Sequence, residues 1–273
     1  MTVGEAIRTA AGRLAASSDT ARLDAELLMA HALGMSRSDM LLKAMQGPAP
    51  ESFAALVERR AGQEPVAYIT GEAEFYGLTL RVTSDTLIPR GDSETLVEAA
   101  LERVGGTGRA LDLGTGTGAL LLAVLAGREG WEGVGIDASP GAIAVARANA
   151  ETLGLADRSA WHLRNWREAG WGDDLGTFDL ILCNPPYVEE DAALDPQVRD
   201  FEPATALFAG PEGLDDYRIL IPQLRALMNR GALAILEIGA NQAEAVATLA
   251  RHAGFTSELR RDLAGRARAL LLG

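Results

Sequence analysis

A glycine-rich loop at residues 114–118 is the part of the sequence whose residue types and spacing most directly predict ligand binding. It follows the acidic Asp112 and an apolar strand pattern at residues 110–113, and a helical pattern begins within it at Thr117. Open α/β sheets bind ligands at the carboxyl ends of their strands, where glycines let the backbone approach a ligand closely. The loop residues expected to contact a ligand are Gly114, Thr115, Gly116, Thr117 and Gly118.

The spacing of these glycines separates two kinds of nucleotide-derived cofactor. Dinucleotide folds place glycines as G-x-G-x-x-G around a pyrophosphate, whereas this loop reads G-x-G-x-G after Asp112, whose carboxylate repels a pyrophosphate. A carboxylate instead favours a cationic ligand such as S-adenosylmethionine, which carries an ammonium and a sulfonium group. About 20 residues later, Asp137 ends the next strand pattern, where a carboxylate can accept both ribose hydroxyls. The loop thus predicts S-adenosylmethionine as cofactor, but taken alone it leaves a nicotinamide-dependent enzyme open.

A second motif, Asn184-Pro185-Pro186-Tyr187, follows the strand pattern at residues 178–183. The two prolines force an extended turn that holds the carbonyl groups of Asn184 and Pro185 in place. The side-chain oxygen of Asn184 and the backbone oxygen of Pro185 can accept the two N–H groups of a planar amide or amine. The Tyr187 ring can stack on that plane or close the pocket. We predict Asn184 and Pro185 as catalytic residues, all four as substrate-binding residues, and Asn184 also as a cofactor contact.

This turn suits methyl transfer to a nitrogen atom whose lone pair is delocalised. Such a nitrogen is a poor nucleophile, but orienting it against an electrophilic methyl group can contribute on the order of 7–11 kcal/mol without a strong base. The motif therefore selects a planar nitrogen. It does not choose between a nucleobase amine and a glutamine amide.

Composition and charge exclude several classes of function. The 273 residues contain no apolar run near the roughly 18 residues that span a bilayer, and the first residues lack a signal-peptide pattern. The single cysteine, Cys183, and three scattered histidines exclude a disulfide framework, predict no metal site and fit a reducing cytoplasm. The net charge of −13 disfavours direct nucleic-acid binding and favours a protein or small-molecule partner. We favour a cytoplasmic monomer without membrane contact.

Hydrophobic periodicity divides the chain into three predicted parts. Residues 1–71 show four short helices with one apolar face each, and Thr2 and Glu5 have the spacing of a capping box before the first of them. Residues 72–91 have β-type residues around Gly77 and predict a hairpin linker. Residues 92–273 alternate between helical and strand patterns. This alternation predicts an α/β domain with a mainly parallel sheet covered on both faces.

Further segments extend the two motifs into a resemblance that covers nearly the whole chain. The chain resembles the release-factor glutamine methyltransferases, the HemK or PrmC family. General nucleic-acid methyltransferases share only the loop and the turn, so the additional segments are the specific part of the likeness. They are residues 65–71, 75–77, 87–90 with Glu94, 199–203 and 206–207, 210–214, and 237–239 with Gln242.

The resemblance implies a class I S-adenosylmethionine-dependent methyltransferase fold, Rossmann-like with a seven-stranded and mainly parallel sheet, beside a small N-terminal helical bundle. It implies that residues 114–118 and Asp137 hold S-adenosylmethionine, that Trp166 packs beside its adenine, and that S-adenosyl-L-homocysteine is a product. It implies N5 methylation of the glutamine in the Gly-Gly-Gln motif of class I peptide chain release factors, with residues 184–187 holding that glutamine. The helical domain would help to dock the release factor.

Four positions depart from the family pattern. Gly91 stands where proline is usual, Ser93 where threonine is common, Asn165 where an acidic residue is frequent, and Ala267 where an acidic or polar residue is usual. We expect Gly91 to loosen the start of the following helix and Asn165 to keep a hydrogen-bond acceptor near the adenine. None of these departures removes a group that the mechanism requires.

Five other residues have a structural interpretation beside a functional one. Arg90 and Glu202 are predicted to form an ion pair between the linker and the catalytic loop, direct contact with substrate being the alternative. Trp131, Trp161 and Trp171 are predicted to pack in the core.

Three other functions share parts of this sequence pattern. An adenine N6 or other amino methyltransferase acting on RNA or DNA shares both motifs, but it would add a basic surface that the acidic balance disfavours. A non-catalytic binding protein with this fold has no need for an intact Asn-Pro-Pro-Tyr turn. A nicotinamide reductase conflicts with the glycine spacing.

Overall fold

The structure is a computed structural model that describes every residue from Met1 to Gly273. Its chain forms two compact units. The helical unit comprises Met1–Glu72 and Leu194–Phe201, and the sheet unit comprises Ala73–Ala193 and Glu202–Gly273. None of the helices combines the length and the apolar character that crossing a membrane requires.

The chain forms eleven α helices and nine strands, together with three single turns of 3₁₀ helix at residues 91–93, 156–158 and 204–206. The helices are α1 (Val3–Leu14), α2 (Ala21–Leu33), α3 (Arg37–Lys43), α4 (Phe53–Ala61), α5 (Val66–Thr70), α6 (Glu94–Arg103), α7 (Ala119–Gly127), α8 (Pro140–Thr152), α9 (Pro196–Arg199), α10 (Asp215–Leu227) and α11 (Ala243–His252). The strands are β1 (Glu72–Phe75), β2 (Leu78–Arg81), β3 (Thr107–Leu113), β4 (Gly130–Asp137), β5 (Ser159–Leu163), β6 (Phe178–Cys183), β7 (Met228–Glu237), β8 (Ser257–Arg261) and β9 (Ala267–Leu272).

The helical unit begins with the predicted capping box, in which the side chains of Thr2 and Glu5 each accept a backbone N–H from the other residue. Its core is built from the apolar faces of its helices and includes Ile7, Leu28 and Met40, none of which is exposed. The prediction of four helices was wrong, because α5 is a fifth. Its five residues are too few to show a helical period, although it begins after a proline and ends at a glycine.

Two consecutive residues with positive φ close the predicted hairpin between β1 and β2. Tyr76 has φ of 51° and Gly77 has φ of 73°, and two consecutive positive values are what a two-residue hairpin turn requires. The backbone N–H of Tyr76 donates to Glu94 Oε1 at 2.8 Å, which ties this turn to the start of α6.

The seven-stranded sheet has the order β5-β4-β3-β6-β7-β9-β8. The first five strands in this order are parallel, and β9 pairs antiparallel with both β7 and β8. The chain moves outward from β3 through β4 to β5 and then returns to β6 on the other side of β3. The strand order therefore reverses between β3 and β6, which is the switch point where open sheets bind ligands.

Two apolar layers cover the sheet, one on each face. Successive strand residues alternate between them, so that Leu180 and Leu182 pack on one side while Ile181 and Cys183 pack on the other. Such two-sided burial explains the continuous apolar character of the central strands. The core also holds all three tryptophans predicted to pack there, Trp131, Trp161 and Trp171, each buried.

Candidate active site

The ends of three neighbouring strands bring the predicted site residues together. Leu113 of β3 lies opposite Cys183 of β6 and opposite Ile136 of β4 in the sheet register. The segments that follow these strands therefore begin at one edge of the sheet, beside the switch point. A Cβ atom added at Gly114 would lie 4.0 Å from the backbone oxygen of Asn184, so the glycine loop and the Asn-Pro-Pro-Tyr turn are close neighbours.

The glycine loop needs its glycines for conformation and for space. Gly114, Gly116 and Gly118 have φ of 71°, 54° and 82°, a region that other residues rarely adopt. A Cβ at Gly114 would lie 3.0 Å from the Trp166 ring, and a Cβ at Gly118 would lie 3.0 Å from the Trp161 ring. The loop consequently presents bare backbone at the switch point, and Gly118 lets α7 pack against the core.

Asp112 lies behind the loop and is only 1% exposed. Its Oδ2 accepts a hydrogen bond from the Thr115 hydroxyl at 2.6 Å, and its Oδ1 is buried without a hydrogen-bond partner. Burial raises the pKa of Asp112 to about 7; the Thr115 bond opposes this shift and the charge of Asp137 adds to it. A buried carboxylate with one unpartnered oxygen is stabilised by a nearby cation, so this group fits a positively charged ligand.

Asp137 lies at the end of β4 and lines a cavity at this edge of the sheet. Its Oδ2 accepts the backbone N–H of Gly116 at 2.9 Å, and its Oδ1 accepts that of Ser139 at 2.8 Å. Burial raises the pKa of Asp137, and these backbone hydrogen bonds lower it. Each carboxylate oxygen retains a second lone pair, so the fixed carboxylate can still accept ribose hydroxyls.

Trp166 is oriented by a buried carboxylate. Its Nε1 donates to Asp216 Oδ1 at 2.8 Å, and Arg167 Nη2 lies 3.0 Å from the same oxygen. Asn165 also lines the cavity, and its Oδ1 accepts the backbone N–H of Arg167 at 3.0 Å. The ring of Trp166 thus forms a flat wall beside Gly114, suited to stacking against a planar base.

The Asn-Pro-Pro-Tyr turn divides between the cavity and the interior. Asn184 and Pro186 line the cavity, whereas Pro185 and Tyr187 do not. The hydroxyl of Tyr187 donates instead to Glu237 Oε1 at 3.1 Å. Asn184 is half-buried at the cavity wall, where it supplies the hydrogen-bonding side chain of this turn.

These residues surround one cavity of about 540 Å³ in the sheet unit. The predicted site residues at its wall are Gly114, Thr115, Gly116, Thr117, Asp137, Trp166, Asn184 and Pro186. Gly118, Pro185 and Tyr187 were also predicted and lie next to this wall in sequence without lining it.

The sequence did not indicate the remaining part of the cavity wall as part of the site. It includes Asp85, Thr86 and Leu87 before the first helix of the sheet unit, and Thr205 and Phe208 after the turn. Apart from the single 3₁₀ turn at Ala204–Ala206 these segments are irregular, so no helical or strand period marks the residues that face a ligand. The signals in the sequence were two segments of the resemblance, Leu-Ile-Pro-Arg at residues 87–90 and the segment at residues 199–203 and 206–207.

Arg90 joins the two parts of that wall. Its Nη2 bonds to Glu202 Oε1, and Glu202 Oε2 accepts the backbone N–H of Ile88 at 3.3 Å. Burial raises the pKa of Glu202, and the Arg90 guanidinium opposes this shift. The predicted ion pair is therefore confirmed. The Arg90 side chain is 40% exposed and also lines the cavity.

Two departures from the family pattern have local explanations. Gly91 begins an ordered 3₁₀ turn at Gly91–Ser93 that leads into α6, and a Cβ added there would meet no atom within 4 Å. Ala267 is buried at the start of β9 opposite Arg261. A small apolar residue suits that position.

Known protein families match both units. The family described as the PrmC N-terminal domain matches residues 5–71. A methyltransferase domain family matches residues 106–253, which include the glycine loop, Asp137 and the Asn-Pro-Pro-Tyr turn.

Full-length relatives decide the family. A protein of Rhodospirillum rubrum is 43% identical over 99% of this chain and 85% of its own. One of Cereibacter sphaeroides is 42% identical over 98% of this chain and 97% of its own. Both are named release factor glutamine methyltransferase. The chain belongs to this family. It is therefore an S-adenosylmethionine-dependent methyltransferase, and a nicotinamide reductase or a non-catalytic binding protein is not favoured.

Solved structures support the fold of this release factor glutamine methyltransferase family member. A ribosomal protein L11 methylase from Lactobacillus delbrueckii subsp. bulgaricus superposes with a TM-score of 0.50 at 21% identity, covering 71% of this chain and 84% of its own. At that identity the likeness concerns the fold alone. With the observed strand order, it confirms the predicted methyltransferase sheet.

Proposed function

We propose that this protein transfers a methyl group from S-adenosylmethionine to the side-chain amide nitrogen, N5, of the glutamine in the Gly-Gly-Gln motif of class I peptide chain release factors. The observation that carries the proposal is the position of Asn184. An amide-binding side chain lies at the wall of the cavity that the glycine loop and Asp137 also line, in a chain related over its full length to release factor glutamine methyltransferases.

The residues at the wall fit the methyl donor. Asp137 would bind the ribose hydroxyls, Trp166 would stack beside the adenine, and Asp112 would compensate the positive charge from behind the loop. S-adenosylmethionine supplies a methyl group on a sulfonium, which is a strong electrophile. The backbone of residues 114–117 leaves room for it, because the loop glycines carry no side chains.

Asn184 acts on the acceptor amide by orientation. Its side-chain oxygen accepts one amide N–H, and the Pro185 backbone oxygen accepts the other. With both N–H groups held, the nitrogen lone pair points toward the electrophile. The nitrogen–methyl bond would form as the methyl–sulfur bond breaks, which leaves S-adenosyl-L-homocysteine. The methylated nitrogen then loses one proton to solvent water, so no strong base has to remove it beforehand.

We further propose that the predicted parts of the chain divide the work. Residues 72–273, comprising the hairpin linker 72–91 and the catalytic domain 92–273, carry out the chemistry, and residues 1–71 dock the release factor. Four of the six large apolar side chains exposed on the chain lie in the helical unit. A monomer in the cytoplasm without direct nucleic-acid binding is part of this proposal.

A labelling experiment tests the substrate class. The protein is incubated with S-adenosylmethionine that carries a labelled methyl group, in three separate reactions. Each reaction contains one acceptor: a purified class I release factor, RNA or DNA. Label on the release factor alone supports the proposal. Label on RNA or DNA with none on the release factor would favour the amino methyltransferase alternative.

A further inference from the structure

Glu237 is a buried carboxylate that methyl transfer itself does not use. It ends β7 and is 1% exposed. Its Oε1 accepts the hydroxyl of Tyr187 at 3.1 Å, and its backbone oxygen accepts the hydroxyl of Tyr217 at 2.7 Å. Arg268 Nη1 lies 3.9 Å from the same Oε1 and partly compensates the charge. A single residue therefore connects the end of β7 with the Asn-Pro-Pro-Tyr turn.

Gln242 holds the same turn through its backbone. Its Nε2 donates to the backbone oxygen of Tyr187 at 3.0 Å and to that of Gly213 at 3.2 Å. Its Oε1 accepts the backbone N–H of Gly239 at 3.0 Å, which fixes the orientation of the amide. Tyr187 is thus held at its hydroxyl by Glu237 and at its carbonyl by Gln242.

The turn has one end that the sheet fixes and one that it does not. Asn184 follows β6 directly, and the two prolines have a restricted φ. Tyr187 is the first residue of the turn whose φ is free to vary. Beyond it, the N–H of Val188 donates to the backbone oxygen of Leu207 at 2.8 Å. Anchoring Tyr187 therefore completes the restraint on residues 184–187.

We propose that Glu237 and Gln242 are positioning residues for methyl transfer, which act by holding Tyr187 and thereby fixing Asn184 and Pro185 in the conformation that binds the acceptor amide. This inference rests on the proposed function. It assigns to the Tyr187 hydroxyl a role in the geometry of the turn, beyond the stacking or closing role expected of its ring.

Electrostatics support this direction of the hydrogen bond. Burial, together with the nearby charge of Glu237, raises the pKa of Tyr187, so the hydroxyl keeps its proton and remains a donor. Burial raises the pKa of Glu237 as well, and the Ser93 hydroxyl, Arg268 and the Tyr187 hydroxyl lower it. A hydrogen bond from a hydroxyl to a charged acceptor is stronger and better directed than one between neutral groups.

Kinetics of four variants test the inference. Tyr187→Phe, Glu237→Ala and Gln242→Ala are each expected to lower kcat by about tenfold to a hundredfold, because small displacements of an orienting group reduce rates on that scale. The dissociation constant for S-adenosylmethionine should change little. Glu237→Gln should restore most of kcat, since the amide keeps an oxygen that accepts the Tyr187 hydroxyl.

The double variant Tyr187→Phe/Glu237→Ala distinguishes positioning from a general loss of structure. If the two residues act through their shared hydrogen bond, the double variant should be no slower than the slower single variant. Glu244→Ala is the matched control, because this carboxylate is exposed and lies in the helix after Gln242. Additive losses, or loss of cofactor affinity and thermal stability in parallel with kcat, would overturn the inference.

Crystal structures of Tyr187→Phe and Glu237→Ala separate this inference from the proposed function. A displaced Asn184 side chain in both variants supports the positioning role even if the wild-type protein proves inactive on release factors. An unmoved Asn184 in both would contradict it, even if the wild-type protein methylates the release factor.

Discussion

Asn184 combines a fixed backbone position with a side chain that can accept a hydrogen bond at the cavity wall. Truncating it removes the acceptor but leaves the glycine loop, Asp112 and Asp137 in place. Asn184→Ala should therefore lower kcat by about a hundredfold or more, the scale of lost orientation, with little change in cofactor affinity. Single-turnover methyl transfer and calorimetric titration with S-adenosylmethionine measure the two quantities. Equal losses in both would contradict an orienting role.

We expect Asp112 to make cofactor binding sensitive to pH. Its pKa is raised from 3.8 to about 7 in the cofactor-free protein, so the carboxyl is partly protonated near neutrality. A cationic ligand prefers the ionised form, so affinity should rise with pH through about 7 and binding should release a proton. We expect roughly tenfold tighter binding of S-adenosylmethionine at pH 8 than at pH 6.

The Asp112→Asn variant is the control for this pH dependence. It keeps the shape of the side chain and its acceptor for the Thr115 hydroxyl but has no ionisation near neutrality. Calorimetry should show weaker binding that hardly varies between these pH values. An unchanged pH dependence in the variant would assign the effect to another group, Asp137 being the nearest carboxylate that influences Asp112.

Some residues could be placed at the cavity from sequence because they follow strands. The glycine loop, Asp137 and Asn184 each come directly after a strand pattern, and parallel strands end at one edge. The partners of these residues could not be predicted in the same way. Glu237 lies 50 residues from Tyr187 along the chain, and only the register of β6 and β7 makes them neighbours.

At the scale of elements, the loop after β3 is where sequence and geometry agree most closely. Gly114→Ala should weaken S-adenosylmethionine binding, because the added Cβ would lie 3.0 Å from Trp166 at a φ of 71°. Gly265→Ala is the matched control, with a similar φ of 79° but no atom within 4 Å of its Cβ. The temperature of thermal unfolding should fall in both variants, whereas cofactor affinity should fall only in Gly114→Ala. Normal affinity in Gly114→Ala would show that the loop tolerates a side chain there.

The elements that sequence patterns missed are short or show no regular alternation of buried and exposed residues. Five sheet strands had recognisable apolar patterns, whereas β8 and β9 entered only through the seven strands implied by the resemblance. β8 is a partly exposed edge strand, and the wholly buried β9 reads as a short apolar run without alternation. Periodicity cannot assign such runs, and α5 escaped for the same reason.

At the scale of the whole molecule, the chemistry and the docking of substrate are proposed to reside in different units. Leu42 is 82% exposed in the helical unit, and Leu263 is fully exposed in the sheet unit. Leu42→Asp should raise KM for the release factor several-fold, with cofactor affinity unchanged, because a charge disfavours an apolar contact. Leu263→Asp should leave KM as it is. The reverse result would place docking outside the helical unit.

The net charge of −13 belongs to the whole chain and does not distinguish the two units. It disfavours a phosphate backbone as partner and is compatible with a protein that presents basic groups. Raising the ionic strength should therefore increase KM for the release factor more than it changes kcat, since screening acts on encounter between charged surfaces. Steady-state kinetics over a salt series measures both. A KM independent of salt would show that charge plays no part in docking.

Tandem mass spectrometry of a class I release factor, after incubation with this protein and S-adenosylmethionine, tests the central claim most directly. The account predicts a single added methyl group on the side chain of the Gly-Gly-Gln glutamine, absent when the Asn184→Ala variant is used. A methyl group on any other residue, or undiminished methylation by Asn184→Ala, would contradict it.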